Sequence, residues 1–171
     1  ACVAEWLGLT PEQIQAGVKK ITAVGGRNNL IRTECLTLID DCYNANPVSM
    51  KAAVELLDTA KTRKVAILGD MFELGGDEKK LHHEVGSFIT HKGIDVVICI
   101  GSLAEEIYLA VNEGNACCYY YPTKTDMMEA AKDFCCFRIR QIVFLQSASR
   151  SFPITWLPEG SALPLQHRVL Y

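Results

Sequence analysis

Two apolar runs do most to limit what this chain can become. Lys64-Val65-Ala66-Ile67-Leu68-Gly69 and Asp95-Val96-Val97-Ile98-Cys99-Ile100 are apolar at nearly every interior position. A strand with one wet face alternates. A strand that is apolar throughout needs helices on both faces, which is the habit of parallel sheets. Further strand-like runs lie near 36–40, 117–121 and 141–146, with helix-like segments near 48–61, 78–92, 102–113 and 124–135. Strands alternating with helices of ~10–15 residues predict a doubly wound, mostly parallel α/β sheet. In such a sheet the strand C-termini share one edge, and ligands bind there.

The flanks are different. Residues 1–20 read as helical: Thr10-Pro11-Glu12-Gln13 supplies an N-cap, a Pro at the first helical position and a capping-box Gln. Residues 22–29, with Gly25 and Gly26, read as a linker. Pro153, Pro158 and Pro164 exclude a long helix near the end, so 151–171 is expected to be an irregular tail. The expected organisation is a short helical segment with its linker over 1–24, then the α/β domain over 25–171. The chain starts without Met inside a helical pattern, and is expected to be a piece of a larger protein.

At 171 residues the chain can bury about 70% of the surface its unfolded form exposes, so it needs no staples. A net charge of −3 argues against broad electrostatic binding to nucleic acid or anionic membrane. No apolar run approaches the ~20 residues of a membrane helix. Eight cysteines occur without any Cys-x-x-Cys spacing, which points to reduced thiols in a cytoplasmic protein rather than to a metal site.

The chemistry-bearing residues cluster after the strands. Ile39-Asp40-Asp41-Cys42-Tyr43-Asn44-Ala45-Asn46-Pro47-Val48-Ser49-Met50 runs from a strand through a polar loop into a helix start. One of the two carboxylates can accept ribose hydroxyls. Asn46 is a natural N-cap, and the same helix end would also suit an anion. Gly69-Asp70-Met71-Phe72-Glu73-Leu74-Gly75 follows the next strand. Its Asp70 and Glu73 are either partners for a substrate ammonium or a solvated acidic turn. His82 and His83 point in different directions on one helix, against a shared metal. Arg27, beside Gly26, can reach a phosphate bidentately or simply be solvated. The dinucleotide fingerprint, the Gly-x-x-x-x-Gly-Lys-Ser/Thr phosphate loop and the Gly-x-Ser-x-Gly elbow are all absent from the sequence.

Taken together, Gly26-Arg27, Asp40-Asp41-Cys42-Tyr43-Asn44-Ala45-Asn46-Pro47, Leu68-Gly69-Asp70-Met71-Phe72-Glu73-Leu74-Gly75 and His82 with Val85-Gly86 resemble the Mur ligase family across roughly residues 1–150. The resemblance implies the C-terminal, Rossmann-like domain of a three-domain cytoplasmic enzyme of peptidoglycan synthesis, with the last helices of the central domain attached. The reaction it implies is amide ligation. ATP, with Mg2+, phosphorylates the carboxylate of a UDP-MurNAc-tripeptide, and the amine of D-Ala-D-Ala attacks the acyl phosphate. Carried over residue by residue, Arg27, Asp41, Asn44 and Asn46 would face ATP. Tyr43, Asp70, Met71, Glu73, His82, Ser149 and Arg150 would line the dipeptide side. The main phosphate and metal ligands would lie in the missing domains, so this chain alone is expected not to catalyse. Near its end the pattern departs from the family, with Ser147 where Lys is usual and Arg140-Gln141 where Gly-Asp is usual. Two other readings fit the residues: a folylpolyglutamate synthase-like ligase of the same superfamily, and a non-catalytic Rossmann-like module binding nucleotide or peptide.

Overall fold

A computed structural model describes residues 2–21, 29–32, 36–131 and 141–146, with backbone alone for 131 and 141–146. The elements are α1 (Cys2–Trp6), α2 (Pro11–Val18), β1 (Asn29–Arg32), β2 (Leu36–Asp40), α3 (Pro47–Asp58), β3 (Arg63–Gly69), α4 (Glu78–Thr90), β4 (Val96–Ile100), α5 (Ala104–Val111), β5 (Cys117–Tyr121), α6 (Lys124–Ala131) and β6 (Gln141–Gln146). A single 3-10 turn, Gly75–Asp77, leads into α4.

The six described strands form one sheet in the order β1-β2-β6-β3-β4-β5. All neighbours run parallel except β1, which lies antiparallel on the outer edge of β2 with Leu30 opposite Ile39. The last of the described strands fills the centre: β6 pairs Val143 with Leu38 on one side and with Val65 on the other. The five expected strands are all present. The edge strand β1 is additional, and it begins at Asn29 inside the stretch expected to be linker.

Side-chain alternation divides the sheet into two apolar layers. Ile39, Ala66, Leu68, Val97 and Cys99 face one way and pack with Val54 and Leu57 of α3, Val85 and Ile89 of α4, and Ile107 and Val111 of α5. Leu36, Leu38, Val65, Ile67, Val96, Ile98 and Ile100 face the other way, where Met127 of α6 joins them. Helices on both faces explain why β3 and β4 carry no polar alternation. α4 and α5 come unusually close because Gly86 offers no side chain between them; a Cβ there would meet the Ile107 carbonyl at 2.6 Å.

Capping sets the helix starts. Thr10 and Gln13 form the expected capping box of α2, and Asn46 with Ser49 forms a second at α3. Thr123 and Asp126 satisfy each other at the start of α6. α1 and α2 bury no residue; Val3, Trp6 and Ile21 are 72%, 85% and 75% exposed. The expected tail over 151–171 lies outside the described residues.

Candidate functional site

The parallel strands bring the ends of β2, β3, β4 and β5 to one edge, and two of the loops there are the ones singled out in the sequence. After β2, Asp40 Oδ1 accepts the Cys42 amide at 3.3 Å and turns the chain. This drops the Cys42 thiol into the core, where burial first and the Asp40 charge second push its pKa far above the usual thiol range. Asp41 is half-buried, whereas Tyr43 and Asn44 stand out toward solvent. Asn44 Oδ1 accepts the Ala45 amide at 2.9 Å, and Ala45 is itself buried.

Asn46 is committed to α3. Its Oδ1 accepts the Ser49 amide at 2.9 Å, and Ser49 Oγ accepts the Asn46 amide at 3.1 Å. Pro47 removes one donor at N1, and the Met50 amide donates to the Asn46 carbonyl. The helix end is thus largely closed by its own chain, and less open to an anion than a bare helix N-terminus.

The loop after β3 is more tightly built. Asp70 Oδ1 accepts the amides of Leu103 and Ala104 at 3.0 and 2.7 Å, so a carboxylate from β3 caps α5. Gly101, at φ 116°, makes room for it, since a Cβ there would collide with the Asp70 carboxylate. The Met71 side chain is fully buried, and its amide donates to Nε2 of His82 at 2.9 Å. His82 is also fully buried, and its Nδ1 lies 2.7 Å from the Glu78 carbonyl. A carbonyl can only accept and an amide can only donate, so the His82 tautomer carries its proton on Nδ1. Adjacent His83 is exposed. Between these anchors Phe72 is 48% exposed, and Glu73 is exposed with φ 62°. A non-Gly residue in this left-handed region costs roughly 1–3 kcal/mol and persists only where its surroundings enforce it.

The structure therefore gathers Asp41, Tyr43, Asn44, Asn46, Asp70, Met71, Glu73 and His82 along one edge. It does so with two kinds of placement: Tyr43, Asn44 and Glu73 face solvent, while Met71 and His82 are sealed inside. Arg27, Ser149 and Arg150 lie outside the described residues. Lys124 is a neighbour that motif reading passed over. It opens α6 beside the β2 loop, and burial lowers its pKa while the nearby Cys42 acts in the opposite direction. Its position directly after a strand at the ligand edge was the signal available in the sequence. Among the described residues no group of three or more His, Cys, Asp or Glu side chains is arranged to hold a metal ion.

Comparison with known proteins decides the family. Residues 26–144 match the family described as Mur ligase, glutamate ligase domain. The chain belongs to the Mur ligase family. A Bacillus subtilis relative named UDP-N-acetylmuramoyl-tripeptide–D-alanyl-D-alanine ligase is 35% identical over 135 residues, covering 75% of this chain and 29% of that protein. A crystal structure of MurF from Acinetobacter baumannii superposes with a TM-score of 0.75 at 28% identity, covering 86% of this chain and 32% of that one. MurF of Thermotoga maritima, crystallised with ADP, gives 0.68 at 26% identity, covering 86% of this chain and 33% of that one. The chain thus spans about a third of the length of these Mur ligases, and its sheet has the fold of the corresponding part of theirs.

Proposed function

We propose that this chain is the C-terminal domain of an ATP-dependent ligase that joins D-alanyl-D-alanine to a UDP-MurNAc-tripeptide in cytoplasmic peptidoglycan-precursor synthesis. The 35% identity to the Bacillus subtilis ligase carries the reading, and the ADP-bound Thermotoga relative supports nucleotide use. Residues 1–24 would be the last helices of a central domain and a linker; the exposed Val3, Trp6 and Ile21 suit a surface that packs elsewhere in a longer protein.

In this reading the chain supplies position and charge rather than a nucleophile. Phosphorylation of the tripeptide carboxylate releases ADP; attack by the dipeptide amine forms the amide and releases phosphate. The half-buried Asp41 carboxylate fits the ribose hydroxyls, with Asn44 and Asn46 shaping the loop and Arg27 reaching the phosphates. Tyr43, Asp70, Met71, Glu73, His82, Ser149 and Arg150 belong to the dipeptide side. Mg2+ and the main phosphate grip fall to the remaining two-thirds of the enzyme, in keeping with the absent phosphate loop. The described part of this chain contains no helix long and apolar enough to cross a membrane.

The test is a domain exchange. This chain replaces the corresponding third of the Bacillus subtilis ligase, and phosphate release is followed with ATP, the UDP-tripeptide and D-Ala-D-Ala. Release that depends on D-Ala-D-Ala, with Asp41→Ala raising the KM for ATP about tenfold, supports the reading. A folded hybrid that binds ATP but releases phosphate only with L-glutamate, or with no amine at all, overturns it.

A further inference from the structure

The loop between β3 and α4 is held at both ends and left open in the middle. At one end Asp70 reaches across to the Leu103 and Ala104 amides at 3.0 and 2.7 Å, over a Gly101 that leaves space for it. Next, the Met71 amide is drawn inward to His82 Nε2 at 2.9 Å, while His82 Nδ1 donates to the Glu78 carbonyl at 2.7 Å. On the far side Leu74 packs against the larger core. Between Met71 and Leu74 the chain turns outward, leaving Phe72 and Glu73 exposed, and Glu73 is the one described non-glycine residue with positive φ. A buried histidine that joins a loop amide to a carbonyl on a following helix sets the loop's height above the sheet. An exposed carboxylate on strained backbone, beside an exposed aromatic ring, is a presented recognition group.

We infer that Asp70 and His82 are positioning residues: they clamp the β3–α4 loop so that Phe72 and Glu73 are held out, the carboxylate of Glu73 meeting the ammonium group of the incoming amine substrate. His82 acts through the Met71 amide and Asp70 through the start of α5; neither touches the amine. This rests on the reading of the chain as the amine-binding domain of a ligase, and it divides that domain's acidic and imidazole groups into one that meets the ligand and two that hold it in place.

The test uses the full 171-residue chain. Amide exchange is measured for wild type, His82→Phe, which removes the acceptor, and His82→Gln, which restores one. The expected result is faster exchange by tenfold or more at Met71, Phe72 and Glu73 in His82→Phe, with α3 and β4 unchanged and wild-type rates recovered in His82→Gln. Exchange that is unaltered at the loop, or that rises equally throughout the domain, overturns the proposal and leaves His82 a packing residue. Nitrogen–proton spectra recorded with D-Ala-D-Ala then separate the two claims. Shifts at Phe72 and Glu73 whose apparent Kd rises about tenfold in His82→Phe support the full inference. Loop-specific exchange without any shift on adding D-Ala-D-Ala keeps the clamp but overturns the amine as its purpose, while the ligase reading itself stands or falls on the domain exchange.

Discussion

Replacing Gly86 with alanine should loosen the domain, because α4 and α5 touch backbone to backbone there. A Cβ on residue 86 would sit 2.6 Å from the Ile107 carbonyl oxygen and 2.7 Å from the Ala110 Cβ. Comfortable separations are about 3.5–4.0 Å, so the helices must part by about 1 Å. The obstacle is main chain, which cannot rotate away, so the cost belongs near the upper end of the roughly 1–3 kcal/mol typical of overpacking. Alanine returns about 1 kcal/mol as a better helix former than glycine. The net loss of about 2 kcal/mol should lower the Tm by about 4–8 °C for a chain of this size. Thermal unfolding followed by circular dichroism measures it, with Gly17→Ala as the control, since nothing lies within 4 Å of that Cβ. A Gly86→Ala protein melting at or above the wild-type temperature would refute the close approach of the two helices.

Other perturbations follow from the same geometry. Gly101→Ala should destabilise by roughly 2–4 kcal/mol, combining left-handed strain with displacement of the Asp70 carboxylate, and urea unfolding would show it. Asn46→Ala should cost about 1 kcal/mol through loss of the α3 cap and leave the other helices intact, read by chemical denaturation. Asp58, at the end of α3, accepts the amide of Gly93 between α4 and β4 at 2.9 Å, which holds its carboxyl below the ordinary range, with Lys64 adding to the effect at 3.4 Å. The stability it contributes is present above the ordinary carboxylate range and is lost as pH falls through the lowered value, below about pH 4. Asp58→Asn should therefore flatten the acid limb of a Tm-against-pH curve while changing little at its foot.

Local signals made most of the fold readable. The apolar runs at Val65–Gly69 and Val96–Ile100 needed no partner to be recognised, and the caps at Thr10 and Asn46 announced helix starts that the structure places at Pro11 and Pro47. β1 escaped notice because four residues, with Leu30 exposed and Ile31 buried, make too short a pattern to separate from a glycine-bearing linker. The central position of β6 was also invisible, since it depends on pairing with two strands far away in the chain. At the candidate site, residue types and spacing found both loops but not the direction of each side chain. The pair His82 and His83 shows the limit: helical phase alone decides that one is wholly buried and its neighbour exposed.

The central place of β6 has a cost in time. Until residues 141–146 are made, β2 and β3 have no strand between them, and each presents an open edge to its surroundings. At about 5–20 residues per second, the roughly 80 residues separating the end of β3 from the end of β6 take about 4–16 s to synthesise. Through that interval the growing chain carries two unpaired strand edges, on β2 and β3, able to pair with neighbouring chains. β6 therefore acts as a keystone. Interruption of synthesis before residue 141 should yield an aggregating product rather than a smaller domain, and recovery after denaturation should be paced by this long-range closure.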